Sequence, residues 1–360
     1  MVMLISAQAG RLPSSLPETM RAVAKTEPAR GARLITTAVP TIGPRDVLVQ
    51  VRATTVCGTD LHLYTWDAWS AGRVKPPVTI GHELGGTVVA VGSEVTTVAV
   101  GDFVSAETHV VCGHCYQCQT GQAHVCANTR ILGVDIPGCY AEYVAVPASN
   151  IWKNAATLPL EWAPLQEPLG NAVHTVLAGD IAGRTVAVIG CGPIGIMACA
   201  VAKACGASTV IAVDLNAFRL ELACRMGASH LIKADEEDAV AAVHALVPGG
   251  VDVICEMSGH PKAMRDAFRM VRAGGRYSIL GLPSRPVELD VANDIVMRGV
   301  TVQGITGRRM MDTWYQVAHL LNARQLDLDP LITHHMGLED IDEAMELMIS
   351  GNCGKIVLTP

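Results

Sequence analysis

Clustered basic residues are missing from this sequence of 360 residues: its 27 lysines and arginines are interspersed with 34 acidic residues, for a net charge of −7. No stretch would track a phosphate backbone, which excludes nucleic acid as an expected partner. Long apolar runs are missing too. Hydrophobic residues make up 50% of the chain, yet every run is broken well short of the roughly 20 residues a spanning helix needs. A soluble protein with no membrane partner is expected. The opening MVMLISAQAGRLPSSLPE lacks a basic n-region and has only a very short apolar stretch, so it does not read as a signal peptide. Residues 1–19 read as a flexible N-terminal extension. With no export route, the twelve cysteines point to a reducing, cytoplasmic setting rather than to disulfides.

What is present is unevenly placed. Cys112, Cys115, Cys118 and Cys126 fall within the fifteen residues CGHCYQCQTGQAHVC. Disulfides would need an exported chain, and a redox Cys-x-x-Cys would not need two such steps in succession and a fourth cysteine. Four thiolates at this spacing complete a tetrahedron around zinc and leave no open position, so the expectation is a structural zinc lobe over 109–130. Cys139, Cys191, Cys199, Cys205, Cys224, Cys255 and Cys353 read as small core residues.

The length predicts two domains. From Met20 to about Ala148 the pattern is short, period-two and rich in Val, Thr and Gly, as in VLVQV (47–51) and GGTVVAVG (85–92), which predicts an antiparallel, barrel-like β domain. From about 184 the rhythm becomes strand then helix: TVAVIG, IGIMACAVAKACGA, TVIAVD, AFRLELACRMGA, and onward to VTVQGI (300–305). Six strands separated mostly by helices predict a Rossmann-type doubly wound parallel sheet, an α/β arrangement. The expected division is 20–169, 170–310, and a segment 311–360 that returns to the first domain.

Gly190, Gly192 and Gly195 form G-x-G-x-x-G directly after a strand and at the start of a helix. Lacking Cβ atoms, they let the backbone approach a pyrophosphate at the positive helix end. Asp214 ends the next strand nineteen residues after Gly195, where a carboxylate can accept from both adenosine ribose hydroxyls and would repel a 2′-phosphate. NAD is therefore expected over NADP. Arg219 either contacts the adenosine end or is a solvated helix residue.

Cys57 in TTVCGTDLHLY and His82 with Glu83 in TIGHELGG are soft and borderline donors that suit a zinc keeping an exchangeable position. Such a zinc lowers the pKa of a substrate hydroxyl. Together with a nicotinamide cofactor it implies alcohol oxidation by hydride transfer. Thr59 and His62, two and five residues beyond Cys57, are close enough to pass the released proton through the cofactor ribose; the alternative for His62 is a surface imidazole.

GHELGGTVVAVGSEV (81–95) and the order of β domain, nucleotide domain and returning tail resemble the zinc-containing medium-chain alcohol dehydrogenases. Further stretches, CGTDLHLYTWDAW (57–69), the zinc lobe through NTRILGVDIPGCYAEYV, EPLGNAVHTVL (167–177) and GITGRRMMDTWY (304–315), are similar to members of that family acting on L-threonine. The resemblance implies a GroES-like catalytic domain, one catalytic and one structural Zn2+ per subunit, NAD, L-threonine as the small-molecule substrate and a homotetramer. It also implies that Cys57, His82 and Glu83 bind catalytic zinc and that Thr59 and His62 relay a proton. Ile194, Asp214, Arg219, Leu280, Gly281, Leu282, Ile305 and Thr306 would hold NAD. Glu167 is implied to be catalytic, as a metal ligand or a relay partner, and His109 is either an active-site histidine or a lobe-packing residue. The alternatives are a polyol or 2,3-butanediol substrate, or an NAD-binding protein that keeps only its structural zinc.

Overall fold

The structure is a computed structural model and describes residues 16–360. Most of the expected extension, 1–15, lies outside the described residues; Thr19 already opens the first strand, Thr19–Lys25. That strand is central in a three-stranded sheet between Arg33–Ala38 and Val78–Thr79. A second, larger sheet is built around Asp46–Thr55, which pairs antiparallel with Glu83–Val91, Tyr143–Pro147 and the last strand, Lys355–Thr359. Alternation explains the strand: Val47, Val49 and Val51 are buried on one side and join one apolar cluster with Leu84, Val88, Val104, Val144 and Ile356.

Two register shifts interrupt the long pair between Asp46–Thr55 and Glu83–Val91, yet Thr55 still stands opposite Glu83. That pairing brings the chain just after one strand, Cys57, alongside the chain at the start of the other, His82 and Glu83. Residues separated by 25 positions become neighbours because of sheet register.

The second half forms a six-stranded parallel sheet. Its spatial order is His230–Lys233, Thr209–Asp214, Thr185–Ile189, Val251–Glu256, Val271–Ile279, Thr301–Gly304. Chain order reverses direction at Thr185–Ile189, so the crevice at the carboxyl ends of the strands opens there. The helix Pro193–Ala204 is apolar nearly all round and buried from Gly195 to Ala202, because the sheet and the helices Gln166–Val176 and Ala217–Arg225 pack about it.

The returning tail divides. The helix Asp312–Asn322 packs on Gln166–Val176, and its Val317, Leu320 and Leu321 join the core on this side of the parallel sheet. From Ile332 onward the chain joins the first sheet, through Ile332–Gly337 paired parallel to Lys355–Thr359. Of the cysteines expected in the core, Cys139, Cys191, Cys199, Cys255 and Cys353 are buried, but Cys205 is half-buried and Cys224 is exposed. Cys224 lies on the outer face of a helix whose inner face is Leu220, Leu222 and Ala223. No helix among the described residues is long and apolar enough to cross a membrane.

Candidate active site

Donor atoms of Cys57, His82 and Glu83 all lie within 4.8 Å of one another. Cys57 caps the helix Gly58–Thr65, and its N–H donates to Asp60 Oδ2 at 3.0 Å. Asp60 is fully buried and also accepts from the Tyr140 hydroxyl at 2.7 Å. Its other oxygen lies 3.4 Å from His82 Nδ1, and both of these atoms are buried without a hydrogen-bond partner among the described residues. Burial opposes a charge on His82, but the Asp60 carboxylate and then Cys57 outweigh it and raise the imidazole well above its ordinary value. The pocket is thus built to favour a cation. With Asp60 behind one ring nitrogen, the other is left for a metal, the arrangement in which a carboxylate orients a ligating histidine. One thiol, one imidazole and one carboxylate converging on an electronegative pocket fit a zinc with an open position.

The four-cysteine lobe passes a stricter test. Its sulfurs stand 3.5 Å (Cys115 to Cys118), 3.7 Å (Cys115 to Cys126) and 3.6 Å (Cys112 to Cys126) apart. Zinc–sulfur bonds of about 2.3 Å put tetrahedral sulfurs roughly 3.8 Å apart, against about 2 Å in a disulfide. The backbone N–H of His114, and after it the Asn128 side chain, lower the Cys112 thiol to about 5, while burial and then Cys115 push the Cys118 thiol up to about 12, so the closely packed sulfurs hold their protons unequally. His124 of the lobe meets His174 of the helix Gln166–Val176 edge to face at 5.5 Å.

The remaining candidates separate. Thr59 Oγ1 is 4.0 Å from Cys57 Sγ, beside the donor cluster. His62 turns outward and its Nδ1 stands 2.6 Å from Asp67 Oδ2. Glu167 lies outside the converging donors: its Oε1 forms an ion pair with Arg308 Nη1 at 2.6 Å. Arg308, only 1% exposed, also donates to Glu107 Oε2 at 2.8 Å and Oε1 at 2.5 Å, and Trp314 Nε1 completes Glu107 at 2.8 Å. Burial would raise the Glu107 carboxyl, but the Arg308 guanidinium overrides it and holds the group at about 2. His109 sits 3.6 Å from Glu107 and 3.5 Å from Arg308; burial, then the Arg308 charge, lower it to about 4 and keep it neutral. His109 therefore belongs to this buried ionic group as well as to the edge of the lobe.

The glycine motif lies in the crevice of the parallel sheet. A Cβ on Gly195 would fall 2.0 Å from Gly190 O, and one on Gly190 would strike Ser258 at 2.8 Å, so packing alone accounts for these two. Gly192 differs. A Cβ there would meet nothing within 4 Å, yet Gly192 caps the helix Pro193–Ala204 and supplies no side chain to its free N–H groups. The space and the donors fit a pyrophosphate. Asp214 accepts Cys191 N–H at 2.5 Å and Asn216 N–H at 2.8 Å, which pins its carboxylate beside that loop. Arg219 Nε is buried without a partner among the described residues. Ile194 follows Gly192 in the first helical turn. Leu280, Gly281, Leu282, Ile305 and Thr306 follow the ends of Val271–Ile279 and Thr301–Gly304, on the same edge of the sheet.

Residues 43–157 match the alcohol dehydrogenase GroES-like domain family, and residues 193–323 match the zinc-binding dehydrogenase family. The chain is 58% identical to an L-threonine 3-dehydrogenase of Symbiobacterium thermophilum, over 96% of this chain and 99% of that protein. It belongs to the zinc-containing medium-chain alcohol dehydrogenases. An L-threonine 3-dehydrogenase of Bacillus subtilis, another similar protein, is 53% identical over 95% of this chain and 99% of its own. Among solved structures, the 2R,3R-butanediol dehydrogenase of Bacillus subtilis superposes with a TM-score of 0.86 at 31% identity, covering 95% of this chain and 99% of that one.

Several residues of this dehydrogenase site carry no sequence signal. Asp60 and Asp67 lie near Cys57 and His62 in sequence, but a carboxylate in a helix reads equally well as a solvated surface group. Glu107 and Arg308 come from distant segments, and only tertiary packing unites them.

Proposed function

We propose that the chain oxidises the secondary hydroxyl of L-threonine with NAD, giving 2-amino-3-oxobutanoate, NADH and a proton. The observation that carries this is the 58% identity to an L-threonine 3-dehydrogenase across 96% of the chain. When bound, zinc and NAD supply Lewis-acid activation of the hydroxyl and a hydride acceptor. Cys57, His82 and Glu83 hold the catalytic metal; the four-cysteine lobe holds a structural one. Thr59 takes the proton beside the metal set, and His62, oriented by Asp67, delivers it to solvent. Gly190, Gly192, Ile194 and Gly195 border the pyrophosphate, Asp214 and Arg219 the adenosine ribose, and Leu280, Gly281, Leu282, Ile305 and Thr306 the nicotinamide end. Glu167, fixed by Arg308, flanks the metal rather than ligating it.

The butanediol dehydrogenase is the rival, since it has the same fold at lower identity. Specificity constants for L-threonine, sorbitol and 2,3-butanediol decide between them. A site with partners for an ammonium and a carboxylate should favour threonine by on the order of 10³-fold or more. Equal or better rates on either diol would reject threonine as the substrate.

Asp214→Ala removes a charged acceptor worth about 1.5–3 kcal/mol. The KM for NAD should rise by roughly 10- to 100-fold and discrimination against NADP should shrink. An unchanged NAD to NADP ratio would take Asp214 out of the ribose site.

The chain assembles as a homotetramer in the cytoplasm. Supporting self-association, the edge strand Thr301–Gly304 leaves Val302 exposed, with Val291, Val296 and Met297 exposed nearby in the chain. Twelve free cysteines suit a reducing compartment.

A further inference from the structure

Lys355 begins the final strand, and its ammonium is buried beside the metal set: Nζ stands 2.6 Å from both Glu83 Oε1 and Oε2 and 3.0 Å from Val56 O. Both side chains are almost completely sealed from solvent, at 2% exposure for Lys355 and 0% for Glu83. All three ammonium protons are used, two on the Glu83 carboxylate and one on the carbonyl that precedes Cys57. Thr55 Oγ1 also donates to Glu83 Oε2. The Glu83 carboxylate is thereby saturated with donors although its neighbours Cys57 and His82 face a metal pocket.

We infer that Lys355 is a positioning residue that competes with the metal for Glu83, holding the carboxylate back so that the Cys57 and His82 metal keeps an exchangeable position. This rests on the reading of Cys57, His82 and Glu83 as metal ligands. A buried carboxylate needs a positive partner, and two are within its reach. With Lys355 present it divides between them. Without Lys355 the metal is the only cation left, so Glu83 becomes a full ligand and the metal is held more tightly. A lysine that merely supported the fold would have the opposite effect on its removal, loosening the site and releasing metal faster.

Zinc release from the holoenzyme into excess 4-(2-pyridylazo)resorcinol, followed by absorbance, tests the inference. The wild type should release zinc in two phases, and the phase missing from Cys57→Ser belongs to this site. In Lys355→Met that phase should slow by about 10-fold or more, the scale on which outer residues tune metal sites. In a Glu83→Gln background the same change should have no further effect. Lys355→Arg provides an independent measurement if the Met variant does not fold. Its guanidinium grips a carboxylate with two parallel bonds, so release should be as fast as in the wild type or faster. Unchanged or faster release from Lys355→Met, slower release from Lys355→Arg, or a persistent effect of Lys355→Met without the Glu83 carboxylate would each overturn it. Absence of any Cys57-dependent phase in the wild type would instead refute the metal reading, and this inference with it.

Discussion

Replacing Cys57 by Ser should lower kcat by roughly 10³- to 10⁴-fold, the rate equivalent of the several kcal/mol that a Lewis-acidic metal supplies. Zinc content should fall from two ions per subunit to one, with the thermal midpoint and NAD binding nearly unchanged. The selectivity follows from position. Cys57 stands at the end of a helix facing a pocket, and its backbone N–H is anchored by Asp60 whatever its side chain. The lobe cysteines, by contrast, hold a loop with little regular structure: between Val110 and Arg130 the backbone has one helix of four residues and one 3-10 turn of three. Cys112→Ser should therefore cost stability before it costs chemistry. If Cys57→Ser unfolded the protein, or left two zinc ions in place, the roles of the two clusters would be wrongly assigned.

Arg308→Met should destabilise the protein by about 3–5 kcal/mol at neutral pH, because it leaves Glu107 and Glu167 as buried carboxylates without their common cation. Urea unfolding at pH 7 measures this. The dependence on pH identifies the cause. Glu107 is held at about 2 against an ordinary 4.5, so the stability it contributes, on the order of 3 kcal/mol, is complete above about pH 4.5 and is lost as the pH falls toward 2. In the variant, burial of Glu107 is no longer opposed by Arg308, and that acid-sensitive contribution disappears. The gap between wild type and variant should narrow as the pH falls from 4.5 to 3. A gap that stayed constant would mean Arg308 acts through packing alone.

Much of this site was legible in the sequence because local chemistry demands particular residues in order. Four sulfurs around one ion impose short spacing, and the structure places Cys112, Cys115 and Cys126 with their sulfurs near a tetrahedral edge apart. A pyrophosphate loop imposes glycines at fixed steps, and Gly192 is the one whose bareness the protein's own packing does not require. Other readings needed three dimensions. Glu167 reads as a metal ligand or a relay partner, and its ion pair with Arg308, 141 residues away, is visible only in three dimensions. The tail from 311 reads as one returning segment; in three dimensions its helix Asp312–Asn322 lies between the two halves, packed on Gln166–Val176 with Trp314 against Trp152 and Glu107, and the chain from Ile332 pairs into the first sheet.

The sequence by itself therefore determined the fold class, the four-cysteine lobe and the glycine loop, since each is written in periodicity or short spacing, while sheet register brought Cys57 to His82 and Glu83. Tertiary structure decided how the buried charges are matched: Asp60 behind His82, Arg308 between Glu107 and Glu167, and Lys355 on Glu83. The reason is physical. A charge sealed from water must find its counter-ion wherever the fold brings one, and a sequence does not record which of its distant charged residues will meet.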